Sequence, residues 1–317
     1  MPVTAGREVV PQNSQPFPSV AVIIATRNRG SSAVTTVQSI LANPYPSFKV
    51  LVIDQSDTTS TEEALAPFKT DTRFIYIHTK IIGLAHAHNL GISQSSSELI
   101  AITDDDCEVP ANWLDRIVTA FGQDETIGML FGNTLAMPHN AEEGFVPEYK
   151  ITTARLVQSS WRFSRARGMG ACMALRRKAW LEVGGFDGLM GCGAPMQSGE
   201  DADMALRLNL KGYRVLETPQ VQVLHYGFRT FAEGRQTVYR DAFGVGVSLT
   251  KPLRLGHLSL LPLFLYEFFW LTLRPVIWNV VRWRRPFRFT MVRGFMAGVK
   301  AALASPLGAV FCRFRDF

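Results

Sequence analysis

Only four cysteines occur in 317 residues, Cys107, Cys172, Cys192 and Cys312, with no Cys-x-x-Cys pair. That spacing supports neither a zinc site nor a disulfide framework, and makes a reducing compartment the default. No Gly-x-Gly-x-x-Gly follows the first apolar run and no Gly-x-x-x-x-Gly-Lys-Ser/Thr exists, so neither a dinucleotide site nor a P-loop is expected. Residues 1–19 are polar and contain proline without an apolar core segment, which reads as a flexible lead-in rather than a signal peptide. In the apolar C-terminal part the longest uncharged stretches, 255–266 and 301–312, have twelve residues each. A helix that spans a bilayer needs ~18–20.

What is present describes a globular chain, 47% hydrophobic and 19% charged. The net charge of +6 is uneven, because residues 274–317 carry nine Lys/Arg against one Asp and a balance of +8. The first 273 residues carry 24 Lys/Arg against 26 Asp/Glu, a balance of −2. A near-neutral body with a basic tail implies an anionic surface near the tail, and no nucleic-acid module or basic stripe is found.

Apolar runs at 20–25, 49–53, 74–78 and 99–103 alternate with helical stretches at about 31–41, 58–68 and 84–92. Ser31 and Ser32 are candidate caps for the first of these helices. Continuous apolar strands alternating with helices predict an α/β fold, a mostly parallel sheet flanked by helices. Ligands of such sheets bind beyond the carboxyl ends of the strands. There the chain places Thr26-Arg27-Asn28, Asp54-Gln55-Ser56 and Asp104-Asp105-Asp106. Three consecutive carboxylates repel one another unless a cation is shared, and a hard ion such as Mg2+ or Mn2+ suits oxygen ligands. An acidic turn capping the helix after Pro110 explains the triplet equally well on its own; the polar clusters after the neighbouring strands favour a ligand.

Further on, 168–172 holds two glycines that either form a turn or let backbone approach a ligand, and 184–187 reads as an ordinary helix terminus. Helix 201–211 opens with Gly199-Glu200-Asp201, either a plain acidic cap or a base held beside a cleft. A strand at 221–224 ends at His225, and a lone histidine is more often structural than a ligand.

Taken in order, Ala25-Thr26-Arg27-Asn28, Ile53-Asp54-Gln55-Ser56, Gly83-Leu84, Asn89-Leu90-Gly91, Asp104-Asp105-Asp106, Gly184-Gly185-Phe186-Asp187, Gly199-Glu200-Asp201 and His225 resemble family 2 inverting glycosyltransferases of the GT-A fold. The resemblance spans about residues 20–227. It implies donor contacts from Thr26, Arg27, Asn28, Asp54, Gly83, Asn89, Asp104 and Asp105. Metal ligation by Asp104, Asp106 and His225, and Asp201 as catalytic base, are implied in the same way. Gly170 and Glu200 are weaker candidates for the acceptor side. One departure is visible: Ala87-His88-Asn89 stands where the family commonly has Ala-Arg-Asn. Histidine is only partly charged near neutrality, so a diphosphate contact there is weakened.

The implied organisation is a lead-in at 1–19, a GT-A catalytic domain at 20–228 and a helical C-terminal region at 229–317. In that last region, apolar and aromatic segments edged by arginine suggest docking in the headgroup layer of an anionic membrane, on its cytoplasmic face. Packing on the catalytic domain or on a second copy in a homo-oligomer is the alternative, and a spanning helix that contains Glu267 is a third reading. The activity implied is metal-dependent transfer of a sugar from a nucleotide-diphosphate donor to a glycan or lipid-linked acceptor. A sugar nucleotidyltransferase and a non-catalytic membrane scaffold are the rival classes.

Overall fold

The computed structural model describes residues 17–158, 165–282, 289–308 and 311–314. Most of the expected lead-in, and Trp283 to Arg285 of the basic tail, lie outside them. The first half alternates β1 (Val20–Thr26), α1 (Gly30–Leu41), β2 (Phe48–Asp54), α2 (Ser60–Leu65), β3 (Phe74–His78), α3 (Leu84–Ser93) and β4 (Leu99–Asp104). Then come β5 (Cys107–Glu108), α4 (Trp113–Gly122), β6 (Ile127–Ala136), β7 (Gly144–Phe145), β8 (Arg155–Val157), β9 (Met173–Arg176), α5 (Arg177–Glu182), α6 (Glu200–Lys211) and β10 (Arg214–His225). The last part comprises β11 (Arg229–Thr230), α7 (Phe231–Arg254), α8 (Leu261–Glu267), α9 (Arg274–Val281) and α10 (Phe289–Ala304).

The main sheet runs β3-β2-β1-β4-β9-β6-β10-β5, with β8 also on β10. The first four strands pair in parallel, whereas β9 runs antiparallel between β4 and β6. Side chains alternate across β1, so Val20, Val22 and Ile24 pack on one face with Ala33 and Val37 of α1. Ala21 and Ile23 pack on the other with Ala85 and Ala87 of α3. Both faces are covered, which is why these strands read as unbroken apolar runs.

Three local expectations change. Helix α1 starts at Gly30 with Arg29 as its N-cap and no side-chain capping bond, so Ser31 and Ser32 lie inside the first turn. The helical stretch at 58–68 stops at Leu65 and continues as a 3-10 turn, Ala66–Thr70, because Pro67 lacks the amide that an α-helix needs. The strand expected at 221–224 starts earlier, at Arg214, as β10, which takes up Pro219 in a register shift between Glu217 and Gln222.

The C-terminal helices rest on the sheet domain through charge as well as apolar contact. Lys251 of α7 is fully buried, with Nζ 2.5 Å from Asp187 Oδ2 and 2.7 Å from Asp203 Oδ1 of α6. Asp203 also pairs with Arg207 at 2.8 Å, and Asp187 accepts the Phe314 amide at 2.8 Å. Asp187 is thus a buried ion-pair partner, although its stretch reads as a simple helix end. Residues Leu258–Trp278 form a helical stretch of 21 residues that is long and apolar enough to cross a membrane. Glu267 and Arg274 interrupt it, which is why no uncharged run of that length stands in the sequence. Glu267 is fully buried and paired to Arg167 at 2.8 Å and Arg165 at 3.2 Å, so its charge faces the sheet domain. The outer side exposes Leu258, Leu261, Leu265, Phe269 and Trp270.

Candidate active site

The polar residues after β1, β2 and β4 emerge at one edge of the sheet, because the three strands run parallel in one register. Thr26 Oγ1 donates to Asp105 Oδ2 at 2.7 Å. Arg29 Nη1 lies 3.1 Å from Asp105 Oδ1 and 3.0 Å from Asp106 Oδ2. Asp106 Oδ1, buried and without a hydrogen-bond donor, lies 3.3 Å from Nε2 of His225 at the end of β10. The other ring nitrogen, Nδ1, is 2.9 Å from the Pro147 carbonyl. A carbonyl only accepts, so Nδ1 carries a proton, and Nε2 faces Asp106 as a donor when the ring is charged and as a lone pair when it is neutral. A Cβ on Gly227 would fall 2.5 Å from His225 Nε2 and 3.0 Å from Asp106 Oδ2, so only glycine fits against this pair.

Crowding leaves its mark on protonation. Burial, then the charge of Asp106, pushes the Asp104 carboxyl up to about 7. Burial raises Asp105 too, against the Thr26 bond and Arg29. For Asp106 burial also acts upward, but His225 and Arg29 outweigh it and the pKa is lowered. His225 is raised: burial opposes its charge, while Asp106 and the Pro147 carbonyl prevail.

Asp106, Cys107 and His225 each offer one ligand atom within 4.8 Å of the others. Burial pushes the Cys107 thiol well up, so it keeps its proton and is a poor ligand at neutral pH. The orphaned oxygen of Asp106 and the free lone pair of His225 fit a divalent cation, with the Asp104 carboxyl alongside.

A rim continues past this cluster. Arg27 Nη2 lies 3.2 Å from Asp57 Oδ2, and Asn28, in the left-handed backbone region at φ 57°, donates its amide to Ser56 Oγ at 2.7 Å. Asp54 is fully buried: Oδ1 accepts Ser56 N–H at 2.8 Å and Oδ2 accepts Tyr76 O–H at 2.7 Å. In front of it, Gln55, Ser56, Asp57, Tyr76, His78 and Lys80 help to line a cavity of about 450 Å3. Gly83 begins α3 and its carbonyl accepts from Gln55 Nε2 at 3.1 Å. Asn89 is not part of the carboxylate cluster; its amide bonds to Trp180 and to the Phe186 backbone at 2.8–3.2 Å. His88 is sealed against Phe186 with neither ring nitrogen bonded, and burial pushes its pKa down to about 4. It is therefore neutral at pH 7.

A second carboxylate group forms at the start of α6. Asp201 Oδ1 accepts the Ala202 amide at 2.6 Å. A Cβ on Gly170 would stand 3.9 Å from both Asp201 Oδ2 and Glu200 Oε1, so this glycine faces the two acids, whereas one on Gly168 would strike the Phe131 ring at 2.3 Å. Burial and Asp201 push Glu200 up to about 8, and burial raises Asp201 against the pull of Arg165. Asp104 also adds to the rise at Glu200, so the two carboxylate groups are close enough for their charges to interact. Asp241 of α7 joins them, pushed up to about 6 by burial and Asp201. Arg29, Arg165, Asp241 and Lys251 are absent from the sequence-based candidates. Arg29 directly follows a nominated cluster, but the two serines after it drew the helix start past it. The other three carry no local signal.

The comparisons follow this geometry. The model of the family described as Glycosyl transferase family 2 matches residues 21–184, more than half of the chain. The chain belongs to glycosyl transferase family 2. This family 2 chain is 29% identical over 226 residues, 66% of its length, to the O-antigen biosynthesis protein RfbC of Myxococcus xanthus, of which it spans 17%. It is 23% identical over 213 residues, 65% of its length, to the poly-beta-1,6-N-acetyl-D-glucosamine synthase of Staphylococcus aureus, of which it spans 50%. Its fold matches that of the mannosyltransferase PcManGT from Pyrobaculum calidifontis, solved in complex with GDP-Man and Mn2+. That match has a TM-score of 0.64 at 17% identity and covers 92% of this chain and 88% of the other. The mixed sheet with flanking helices is therefore a GT-A-like fold.

Proposed function

We propose that this chain is a metal-dependent, inverting glycosyltransferase that moves a sugar from a nucleoside-diphosphate donor to a hydroxyl of a glycan or lipid-linked acceptor. The observation that carries this reading is the nearness of two carboxylate groups, Asp104–Asp106 with His225 and Glu200 with Asp201, close enough for the charge of Asp104 to raise Glu200. Asp104, Asp106 and His225 would hold Mg2+ or Mn2+. When bound, that ion neutralises charge developing on the leaving diphosphate. Thr26, Arg27, Asn28, Asp54, Gly83, Asp104 and Asp105 make up the donor side, with Thr26 fixing the direction of Asp105, while Asn89 is taken up by Trp180 and Phe186. The Mn2+ and GDP-Man bound to the structural neighbour support this assignment.

Asp201 is the general base. Its Oδ1 is occupied by the Ala202 amide, so Oδ2, which faces Gly170, takes the proton from the acceptor hydroxyl. Glu200, raised to about 8, is protonated at neutral pH and can donate a hydrogen bond to the acceptor. A single displacement opposite the leaving group inverts the anomeric centre; retention by double displacement would need a nucleophilic carboxylate. The exposed apolar side of Leu258–Trp278 supports docking on the cytoplasmic face of an anionic membrane, as do Arg274, stacked on Trp270 at 4.5 Å, and Arg282, stacked on Trp278 at 4.0 Å.

With a donor found by screening nucleotide-sugars, Asp201→Asn lowers turnover about a thousandfold while calorimetry shows donor affinity unchanged. Undiminished turnover removes Asp201 from the mechanism. Full-length chain that stays in the soluble fraction during flotation with anionic vesicles removes the membrane half of the reading.

A further inference from the structure

We infer that Arg29 is an exchangeable counter-ion that competes with the divalent cation for Asp106 and, once displaced, turns to the diphosphate of the donor. This rests on the reading of Asp104, Asp106 and His225 as a cation site. Arg29 spans Asp105 and Asp106 through one nitrogen, Nη1, at 3.1 and 3.0 Å. That is a shared single-atom contact and not the two-bond fork by which arginine grips a carboxylate firmly. Its side chain is 55% exposed, whereas Asp105 and Asp106 are 7% and 13% exposed. The charge therefore reaches in from solvent over a buried acidic pair and has room to leave.

Asp106 presents its two oxygens to two different partners, Oδ2 to Arg29 and Oδ1 to His225 Nε2. A dication on the His225 side would share one carboxylate with a guanidinium. Like charges at that range repel, so each weakens the binding of the other. The neighbouring basic groups do not take the place of Arg29: Arg27 is turned to Asp57, Arg229 acts on Asp106 through its charge while its Nη1 donates to Thr237 at 3.5 Å, and His88 is buried and uncharged. Arg29 is also the N-cap of α1, a helix of twelve residues with no acid in its first turn and no side chain on its cap amides. A guanidinium released there adds to the positive end of the helix, beside the cleft into which a diphosphate would be drawn.

Calorimetric titration of Mn2+ into the full chain, with no donor present, tests the exchange in wild type, Arg29→Gln and Arg29→Lys. A second titration adds UDP or GDP, whichever wild type binds more tightly, at saturating Mn2+. Arg29→Gln is expected to bind Mn2+ about tenfold more tightly and the nucleoside diphosphate about tenfold more weakly, with Arg29→Lys between it and wild type in both. Unchanged or weaker Mn2+ binding by Arg29→Gln overturns the inference and leaves the cation site standing. So does undiminished affinity for the diphosphate. No Mn2+ binding by wild type or either variant overturns the cation site itself, and this inference with it.

Discussion

Two crowded groups of carboxylates lie near one another, and they are relieved of their mutual repulsion in different ways. Around Asp104–Asp106 the relief comes from positive charge: Arg29 and His225 touch the acids, and Asp106 is held below its usual range. Around Glu200, Asp201 and Asp241 the relief comes from protons: Glu200 is pushed up to about 8 and Asp241 to about 6, and burial raises Asp201 against the Ala202 amide and the charge of Arg165. In the proposed reaction the first group meets the anionic leaving group through a cation, and the second meets an alcohol that must lose a proton. One sheet edge thus carries two environments for the same functional group, set apart by what packs behind each.

The comparison breaks most severely if the anchor of the second group is removed. Lys251→Met leaves Asp187 and Asp203 buried without their shared ammonium and costs roughly 3–5 kcal/mol of stability, measured by denaturant unfolding. A loss under 1 kcal/mol would mean that α7 does not hold α6 in place through this network. Next in size, Asp106→Asn is expected to weaken Mn2+ binding by roughly a hundredfold, read by calorimetry, while Asp201→Asn leaves it unchanged. Equal losses in both variants would erase the distinction between a cation group and a proton group.

The smallest effect sharpens the distinction by pH. Glu200 has a folded pKa above its unfolded value, so the native state binds more protons between about pH 4.5 and 8 and loses stability as pH rises through that window. Glu200→Gln is therefore expected to melt a few degrees higher than wild type at pH 8 and at the same temperature below pH 4.5. A gap independent of pH would show that Glu200 is not held protonated by its surroundings.

Much of the fold is visible in the chain itself. Residues 20–25 and 99–103 read as central strands because both of their faces are covered, so nothing polar interrupts them. The strand through Pro219 reads only as its second part, 221–224, because the bulge that accommodates the proline is made by pairing with β6, more than 80 residues earlier. Thr26, Asp105 and Asp106 are legible as polar residues that directly follow apolar strands. Arg165 is not, since its partner Glu267 lies about a hundred residues away on a helix that reads as docking on a membrane surface. Lys251 likewise reads as a surface lysine near the end of a long helix until Asp187 and Asp203 are placed around it.

The sequence by itself determined the strand and helix alternation, the edge where polar clusters collect and the family to which they point. Strand patterning and turn chemistry depend on neighbours in the chain, so they survive in one dimension. Only the tertiary structure decided which acids carry protons, which cations answer them and which side of the apolar helix faces outward. Those properties depend on desolvation and on charges brought within a few ångströms from distant parts of the chain, and no local pattern records them.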